Sequence, residues 1–403
     1  MKRWQRSLHF LPTGNTTFRN FRRGISLHGH TELSRESLGF INHHLDTVPV
    51  VAHIARHALA RYRREHGEEL DFNRAYWTAP LSPSEAHKLE RQQIENVLGL
   101  EAIVSLTDHD NINGAMECQG NGDRESVVSL EWTLPYGPAS FHLGVHNLPP
   151  ARACELSARM LAYTASPDES KLPELLAALD RIPAVLVVLN HPFWKMAAIG
   201  HHTLREMLRS FMRSHGRYIH ALEVSGLRPW PENQLVFKMA AALSIPIVSG
   251  GDRHGWEANT MLNLTSAGSF SEFVAEIRQD GRSEIAVMPN YQQPFGLRMM
   301  QVVWDVLRDY PGRTDGRAYW AERVFFECDD GVVRPLTQCF KNGLARELRL
   351  LIGAMRQLER QPWYSLLHAA WRLQAGKDGL PPRAESRKPA ASPAFSNGER
   401  SVA

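Results

Sequence analysis

A chain of 403 residues with 43% hydrophobic content is long enough for one large domain or two ordinary ones, and apolar enough to bury a core. The net charge of +3 is too small to mark a nucleic-acid binder by composition; no stretch reaches the roughly 18 consecutive apolar residues of a membrane span, and the start carries no apolar signal-peptide segment. Four cysteines, Cys118, Cys154, Cys328 and Cys339, share no Cys-x-x-Cys spacing, which argues for reduced thiols and a cytoplasmic chain rather than a disulfide framework or a thiolate zinc knot.

In chain order, residues 1–23 read as a basic arm, with Lys2, Arg3, Arg6, Arg19, Arg22 and Arg23 and no acid. Short apolar, β-branched runs at 25–27, 102–106, 126–130, 141–145, 184–189, 219–224 and 245–249 then predict strands. Helical periodicity lies between most of them, at 82–98, 172–179, 204–214 and 232–243. The first of these helices is punctuated, with Ser82 and Glu85 at capping-box spacing and Gly99 at the stop. Alternating strands and helices predict an α/β fold with a parallel sheet, and this many units predict a closed or nearly closed barrel. The third and fourth runs are close enough for an antiparallel pair. An insertion at 39–80, with an amphipathic helix at 48–66, follows the first strand and is expected to overhang the rim and restrict substrate size. After about residue 290 the pattern changes to helices only, at 297–308, 344–358 and 363–373, giving a helical C-terminal extension over 291–376. Residues 377–403, rich in Pro, Ser, Ala and charge, predict a disordered tail.

Polar residues gather where the strands end. The first run leads into His28 and His30, which share a face in an extended segment, and then Ser34 and Glu36. The second ends Thr107-Asp108-His109-Asp110, the third ends at Glu131, and the fourth contains His142. The fifth ends Asn190-His191-Pro192, the sixth holds Glu223, and the seventh ends Ser249-Gly250-Gly251-Asp252-Arg253-His254. In a parallel barrel these ends converge on one rim. A lone His or carboxylate at a strand end is ordinarily a hydrogen-bonded structural residue, but nearly every strand end carries one here. Imidazoles and carboxylates buried together are costly unless they share divalent cations, and Zn, Mn and Fe suit these donors. His53 and His57, one helical turn apart on the inserted helix, lack a third ligand and read as a solvated face.

Leu27-His28-Gly29-His30-Thr31 with Ser34, Thr107-Asp108-His109-Asp110, Glu131, His142, His191-Pro192 and Gly251-Asp252-Arg253-His254 resemble, in order and approximate spacing, the successive motifs of the PHP (polymerase and histidinol phosphatase) family of metal-dependent phosphoesterases. The resemblance implies a distorted (β/α)7 TIM-like barrel over 24–290 and a site for two or three divalent metals. Carried over motif by motif, it implies that His28, His30, Glu131 and Asp252 hold a first metal. Glu131 then bridges to a second completed by His142 and His191, and His109 and His254 with Glu36 hold a third. Ser26 stands where many members carry Asp, at a position that supports ligands rather than binding metal.

The chemistry implied is hydrolysis of a phosphate ester by a metal-bridging hydroxide. Arg253, between two ligands, and Lys195, after His191-Pro192, are candidate catalytic cations for the phosphate, with Arg228 a third; His109 or His254 is a candidate proton donor to the leaving oxygen. The substrate expected is a small phosphorylated metabolite, a nucleotide or an oligonucleotide end. The basic arm and Trp304, Trp320, Trp363 and Trp371 add short single-stranded nucleic acid as a partner, although aromatics at helical spacing are more often core. A metal-dependent amidohydrolase or deaminase, whose barrel also begins with His-x-His and ends with Asp, and a non-catalytic metal-bearing binding protein are the alternatives.

Overall fold

The computed structural model describes residues 5–12, 18, 20–39, 49–67, 71–120, 126–194, 199–313, 315–328, 330–340, 343–344, 346–366 and 368–369. Their strands are β1 (Gln5–Phe10), β2 (Arg23–Leu27), β3 (Glu36–Ser37), β4 (Ala75–Trp77), β5 (Glu101–Ser105), β6 (Leu130–Tyr136), β7 (Ala139–His146), β8 (Leu186–Asn190), β9 (Ala221–Ser225), β10 (Ile247–Gly250), β11 (Met261–Thr265), β12 (Arg282–Val287), β13 (Val324–Glu327) and β14 (Val333–Pro335). The α-helices are α1 (Pro49–His66), α2 (Pro83–Gln93), α3 (Asn113–Gly120), α4 (Pro150–Ala165), α5 (Leu172–Asp180), α6 (His201–His215), α7 (Trp230–Leu243), α8 (Phe270–Ala275), α9 (Phe295–Leu307) and α10 (Arg346–Leu358). None of the described helices is long and apolar enough to cross a membrane.

The fold is mixed α/β with three sheets. Two of five strands, in the orders β1-β12-β11-β2-β5 and β10-β9-β8-β7-β6, carry most of the candidate site; a third, β14-β13-β4-β3, joins the insertion to the C-terminal region and carries Glu36. Every residue of β2, β8, β9 and β10 is buried. That is why β8 reads as an apolar run rather than an alternating one, while β2, β9 and β10 enclose polar side chains such as Ser26, Glu223 and Ser249. Helices cover the second sheet: Trp132 on β6 is fully buried and donates its indole N–H to Met160 O (3.1 Å) and Thr164 Oγ1 (3.0 Å) on α4. Burying such a side chain stabilises by about 1.5–3 kcal/mol once its polar atom is satisfied.

Local signals held where they were strongest. Ser82 caps α2 with both halves of the capping box, and the helix ends through a π turn at Gly99, whose φ of 65° is left-handed. The 126–130 run differs: it precedes its strand, and β6 begins at Leu130, so Glu131 stands near the start of β6 rather than at its end. β6 and β7 form an antiparallel hairpin, and β7 also runs antiparallel to β8. The basic arm contains β1, paired parallel with β12. The C-terminal region is not helical throughout, since β13 pairs with β4 and β14. Trp304 and Trp320 are buried core, which removes them as stacking platforms; Trp371, Lys195 and the 377–403 tail lie outside the described residues.

Among the described residues no barrel closes. β11 inserts antiparallel beside β2 and takes the edge that β10 would need. The two large sheets meet instead at isolated bridges, Gly29 with Arg253 on one side and Val104 with Ser126 and His109 with Glu131 on the other. Asn263 spans the first junction, its side chain accepting from Ser249 N (2.8 Å) and donating to Ser249 O (2.9 Å) and Ile25 O (3.4 Å). A side-chain amide thus stands in for the missing ladder rung.

Candidate metal centre

The bridges between the sheets bring the polar strand ends to one place. His28 and His30 follow β2, Glu36 lies on β3, His109 follows β5, Glu131 lies on β6 and His142 on β7; His191 follows β8, and Asp252 and His254 follow β10. All nine expected ligands meet there, in overlapping groups whose donor atoms could hold a metal ion: His28, His30 and Glu131; His28, His191 and Asp252; His30, Glu36 and His254; His109, Glu131 and His142. Relative to the sets implied by the family resemblance, His30 is drawn toward Glu36 and His254, and His109 toward Glu131 and His142. The His30 ring stacks on those of His254 (4.4 Å between centroids) and His109 (4.9 Å).

Glu131 is the hub. Its Oε2 lies 3.1 Å from His28 Nε2 and 3.4 Å from the Nε2 atoms of His30 and His109, while Oε1 lies 3.1 Å from His191 Nε2 and 3.2 Å from His142 Nδ1. Asp252 Oδ1 faces His28, His30 and His254 at 3.5 Å each, and Glu36 Oε2 faces His254 at 3.0 Å and His109 at 3.3 Å.

Two observations fit this donor set to cations. First, His28 Nε2, His30 Nε2 and Glu131 Oε2 are buried, face one another and have no hydrogen-bond partner of acceptable geometry. Each orphaned atom costs about 1–3 kcal/mol, and a shared divalent cation removes the cost for all three. Second, the backbone is strained here: His28 (φ 63°), His191 (φ 23°) and Asp252 (φ 52°) occupy positive φ without being glycine. Such conformations cost on the order of 1–3 kcal/mol each and gather at functional sites.

Burial and mutual charge set the proton affinities. For Glu131, burial opposes the carboxylate, but His28, His109 and His142 outweigh it and hold it well below the usual range; Glu36 and Asp252 are likewise held low by their imidazoles against burial. Burial also disfavours the His109 imidazolium, yet Glu36 and Glu131 push it up to about 10. At His30 and His191 burial wins, taking them down to about 4 and about 3.

Around the nine sit residues that belong to none of these groups. Asp108 accepts from Thr31 N (2.6 Å) and Thr31 Oγ1 (2.8 Å), and so ties the first two ligand loops together. Ser34 Oγ accepts from His109 N (3.0 Å) and donates to Glu36 (2.5 Å). Ser26 donates to Glu90 (3.0 Å) and accepts from Asn259 Nδ2 (2.6 Å). Asn190 Nδ2 donates to Glu131 Oε1 (3.0 Å), and Glu223 Oε2 lies 2.6 Å from His28 Nδ1. Both were visible as polar strand ends, but nothing local in the sequence says which ligand each one braces.

Arg253 corrects an expectation. Its guanidinium is buried, ion-paired with Glu90 at 2.9 Å, and donates to His30 O (2.8 Å) and Gly255 O (3.0 Å). A buried charge needs such partners, and with these it clamps the two ligand loops together instead of facing a substrate. Arg228 is placed otherwise: 23% of its side chain is exposed, one terminal nitrogen lies 3.3 Å from Asp252 Oδ2, and the guanidinium stands 5.9 Å from the Trp194 ring. That indole packs 4.7 Å from the His142 ring.

No protein-family model and no curated protein matches the chain. Among solved structures, PsfC from Pseudomonas syringae aligns at 15% identity with a TM-score of 0.39, covering 71% of this chain and 98% of that one. An amidohydrolase from Chromobacterium violaceum, solved with sulfate and no metal, aligns at 15% identity and a TM-score of 0.31, over 44% and 83%. A candidate metal-dependent phosphoesterase from Bifidobacterium adolescentis aligns at 15% identity and 0.32, over 49% and 91%. Likenesses this distant carry no weight, and the centre rests on its own geometry.

Proposed function

We propose that the protein is a metal-dependent phosphoesterase of the PHP type, hydrolysing a phosphate ester of a small metabolite, a nucleotide or an oligonucleotide end. The two large sheets are then the halves of a distorted (β/α)7 barrel parted at its junctions, with residues 24–290 the catalytic unit and 291–376 an extension. The observation that carries the reading is the convergence of six imidazoles and three carboxylates, named above, with orphaned donor atoms facing inward. Nine donors exceed what one zinc-like cation takes, about four. With Glu131 shared they suit two or three: His28, His30, Glu131 and Asp252 for one, His142 and His191 with Glu131 for a second, and Glu36, His109 and His254 for a third.

When bound, such cations polarise the phosphate oxygens and acidify a water so that it can attack phosphorus near neutral pH. The chain's own residues do the rest. Arg228, beside Asp252 and partly exposed, is placed to bind a non-bridging phosphate oxygen. His109 and His254 have side chains 15% and 12% exposed, against 0–3% for His28, His30, His191 and Asp252. With two cations held and Glu36, His109 and His254 not committed to a third, the Nε2 atom of either histidine, each facing Glu36, can hold a proton for the leaving oxygen on the open side. Trp194 packs beside His142 and forms the wall on that side.

The test is metal analysis of the purified chain joined to assays on nucleotides, sugar phosphates, short RNAs and amides. Phosphate release that stops on chelation and returns with Mn or Zn is the expected result. Ammonia without phosphate would replace this reading with the amidohydrolase one, and bound metal without turnover on any of them with a binding protein.

A further inference from the structure

We propose that Glu223 is a positioning residue that fixes His28 in the tautomer protonated on Nδ1, leaving the Nε2 lone pair for a cation; this rests on reading the cluster as a metal centre. Glu223 lies in the middle of β9, fully buried, with Oε2 2.6 Å from His28 Nδ1. A carboxylate only accepts, so the proton in that contact belongs to Nδ1. With a cation on Nε2 the ring keeps a single proton, the one on Nδ1. Nε2 is the nitrogen that faces Glu131 at 3.1 Å and Asp252 at 3.5 Å and has no hydrogen-bond partner.

Among the described residues, the ion pair of Glu223 is with His28 alone, and Glu223 belongs to none of the groups able to close on a cation. Its burial therefore has no account in a ligand role or in another salt bridge. The neighbouring strand makes room for it: a Cβ on Gly250 of β10 would stand 2.4 Å from Glu223 Oε2 and 2.9 Å from His28 Cβ. Glycine at this point is what lets the carboxylate reach the imidazole. A carboxylate behind a ligating His orients the ring and raises its basicity, and losing it typically weakens metal binding about 10–100-fold.

The experiment measures zinc affinity of the full chain by chelator competition, and the tautomer of His28 by long-range nitrogen–proton NMR, in wild type, Glu223→Gln, Glu223→Leu and Gly250→Ala. Glu223→Gln keeps an acceptor and loses the charge, so affinity falls about 10-fold and the tautomer persists. Glu223→Leu removes the acceptor, so affinity falls about 100-fold and the tautomer is lost. Gly250→Ala, which leaves Glu223 in place but displaces its carboxylate, falls between them. Wild-type affinity in Glu223→Leu, or equal losses in the Gln and Leu variants, overturns the role. Should the Leu variant fail to fold, wild-type affinity in both Glu223→Gln and Gly250→Ala overturns it instead. A wild-type chain that takes up no zinc sinks the metal-centre reading and not this contact.

Discussion

His191 and Arg253 both stand in motifs that read as catalytic, and the structure gives them opposite surroundings. His191 turns Nε2 to Glu131 Oε1 at 3.1 Å and lies 3.9 Å from Asp252 Oδ2. His191→Ala is expected to lower metal content and to cut metal-dependent turnover by more than about 100-fold with the fold intact, because it deletes one of the donors around Glu131. Full activity with full metal content would remove His191 from the centre. Arg253 pairs with Glu90 inside the protein. Arg253→Met strands that carboxylate, so it should cost about 3–5 kcal/mol in denaturant unfolding; unchanged stability with a raised KM would return Arg253 to the substrate side. At this scale most of the clustered residues were legible because they are polar and stand within or just beyond an apolar run, a contradiction of burial that a shared partner resolves; Glu36, well beyond its run, was legible only by resemblance. The braces were not. Asn190 and Glu223 reach partners 59 and 195 residues away, and no spacing rule encodes such a contact.

Among the elements, the small sheet joins parts of the chain that the sequence shows as unrelated. β3 is two residues long and β14 three, too short for any periodicity to register, and β4 and β13 are nearly 250 residues apart. β11 and β12 escaped for a different reason: the strand–helix alternation is already complete at β10, and only pairing with β2 and β1 reveals them as part of the first sheet. The longer signals, such as α2 with its cap and stop, were legible because the backbone itself requires those residues. The small sheet matters for function because Glu36 lies on β3, paired with Trp77 of β4, which pairs with Val324 of β13. The Trp77 ring lies 5.8 Å from that of His254. Phe326 of β13 is buried in the core of this unit, with the Phe72 ring 5.7 Å away. Phe326→Ala should cost about 3–5 kcal/mol and loosen Glu36 while leaving the two large sheets alone. The expected reading is one metal fewer per chain, with the Glu131 groups still loaded. A full metal complement in a variant of proven lower stability would show that Glu36 is held without its sheet.

For the molecule as a whole, the buried histidines outside the cluster set a limit in acid that bound metal does not obscure. His146, beneath the cluster with Nδ1 2.8 Å from Ser105 Oγ, is taken down to about 3, chiefly by burial and then by His28. His220, which accepts from Val187 N at 2.9 Å and contacts Asp180 at 3.0 Å, is taken down to about 4, again chiefly by burial. Both folded values lie below the ordinary 6.5, so between that value and about 3–4 the unfolded chain binds more protons than the folded one. The stability from keeping these rings neutral is therefore fully present above about pH 6.5 and drains away as the pH falls, by about 1.4 kcal/mol per pH unit for each ring. Carboxylates held low in the cluster lose their contribution only further down, so the first decline in acid belongs to the histidines. Denaturant unfolding of the metal-free chain at pH 7, 6, 5 and 4.5 should show that decline. His220→Gln, less stable at pH 7, should show a slope shallower by up to one proton, since it cannot take one up on unfolding. An unchanged slope in that variant would mean that His220 is already protonated in the folded protein, and that its contact with Asp180 outweighs its burial.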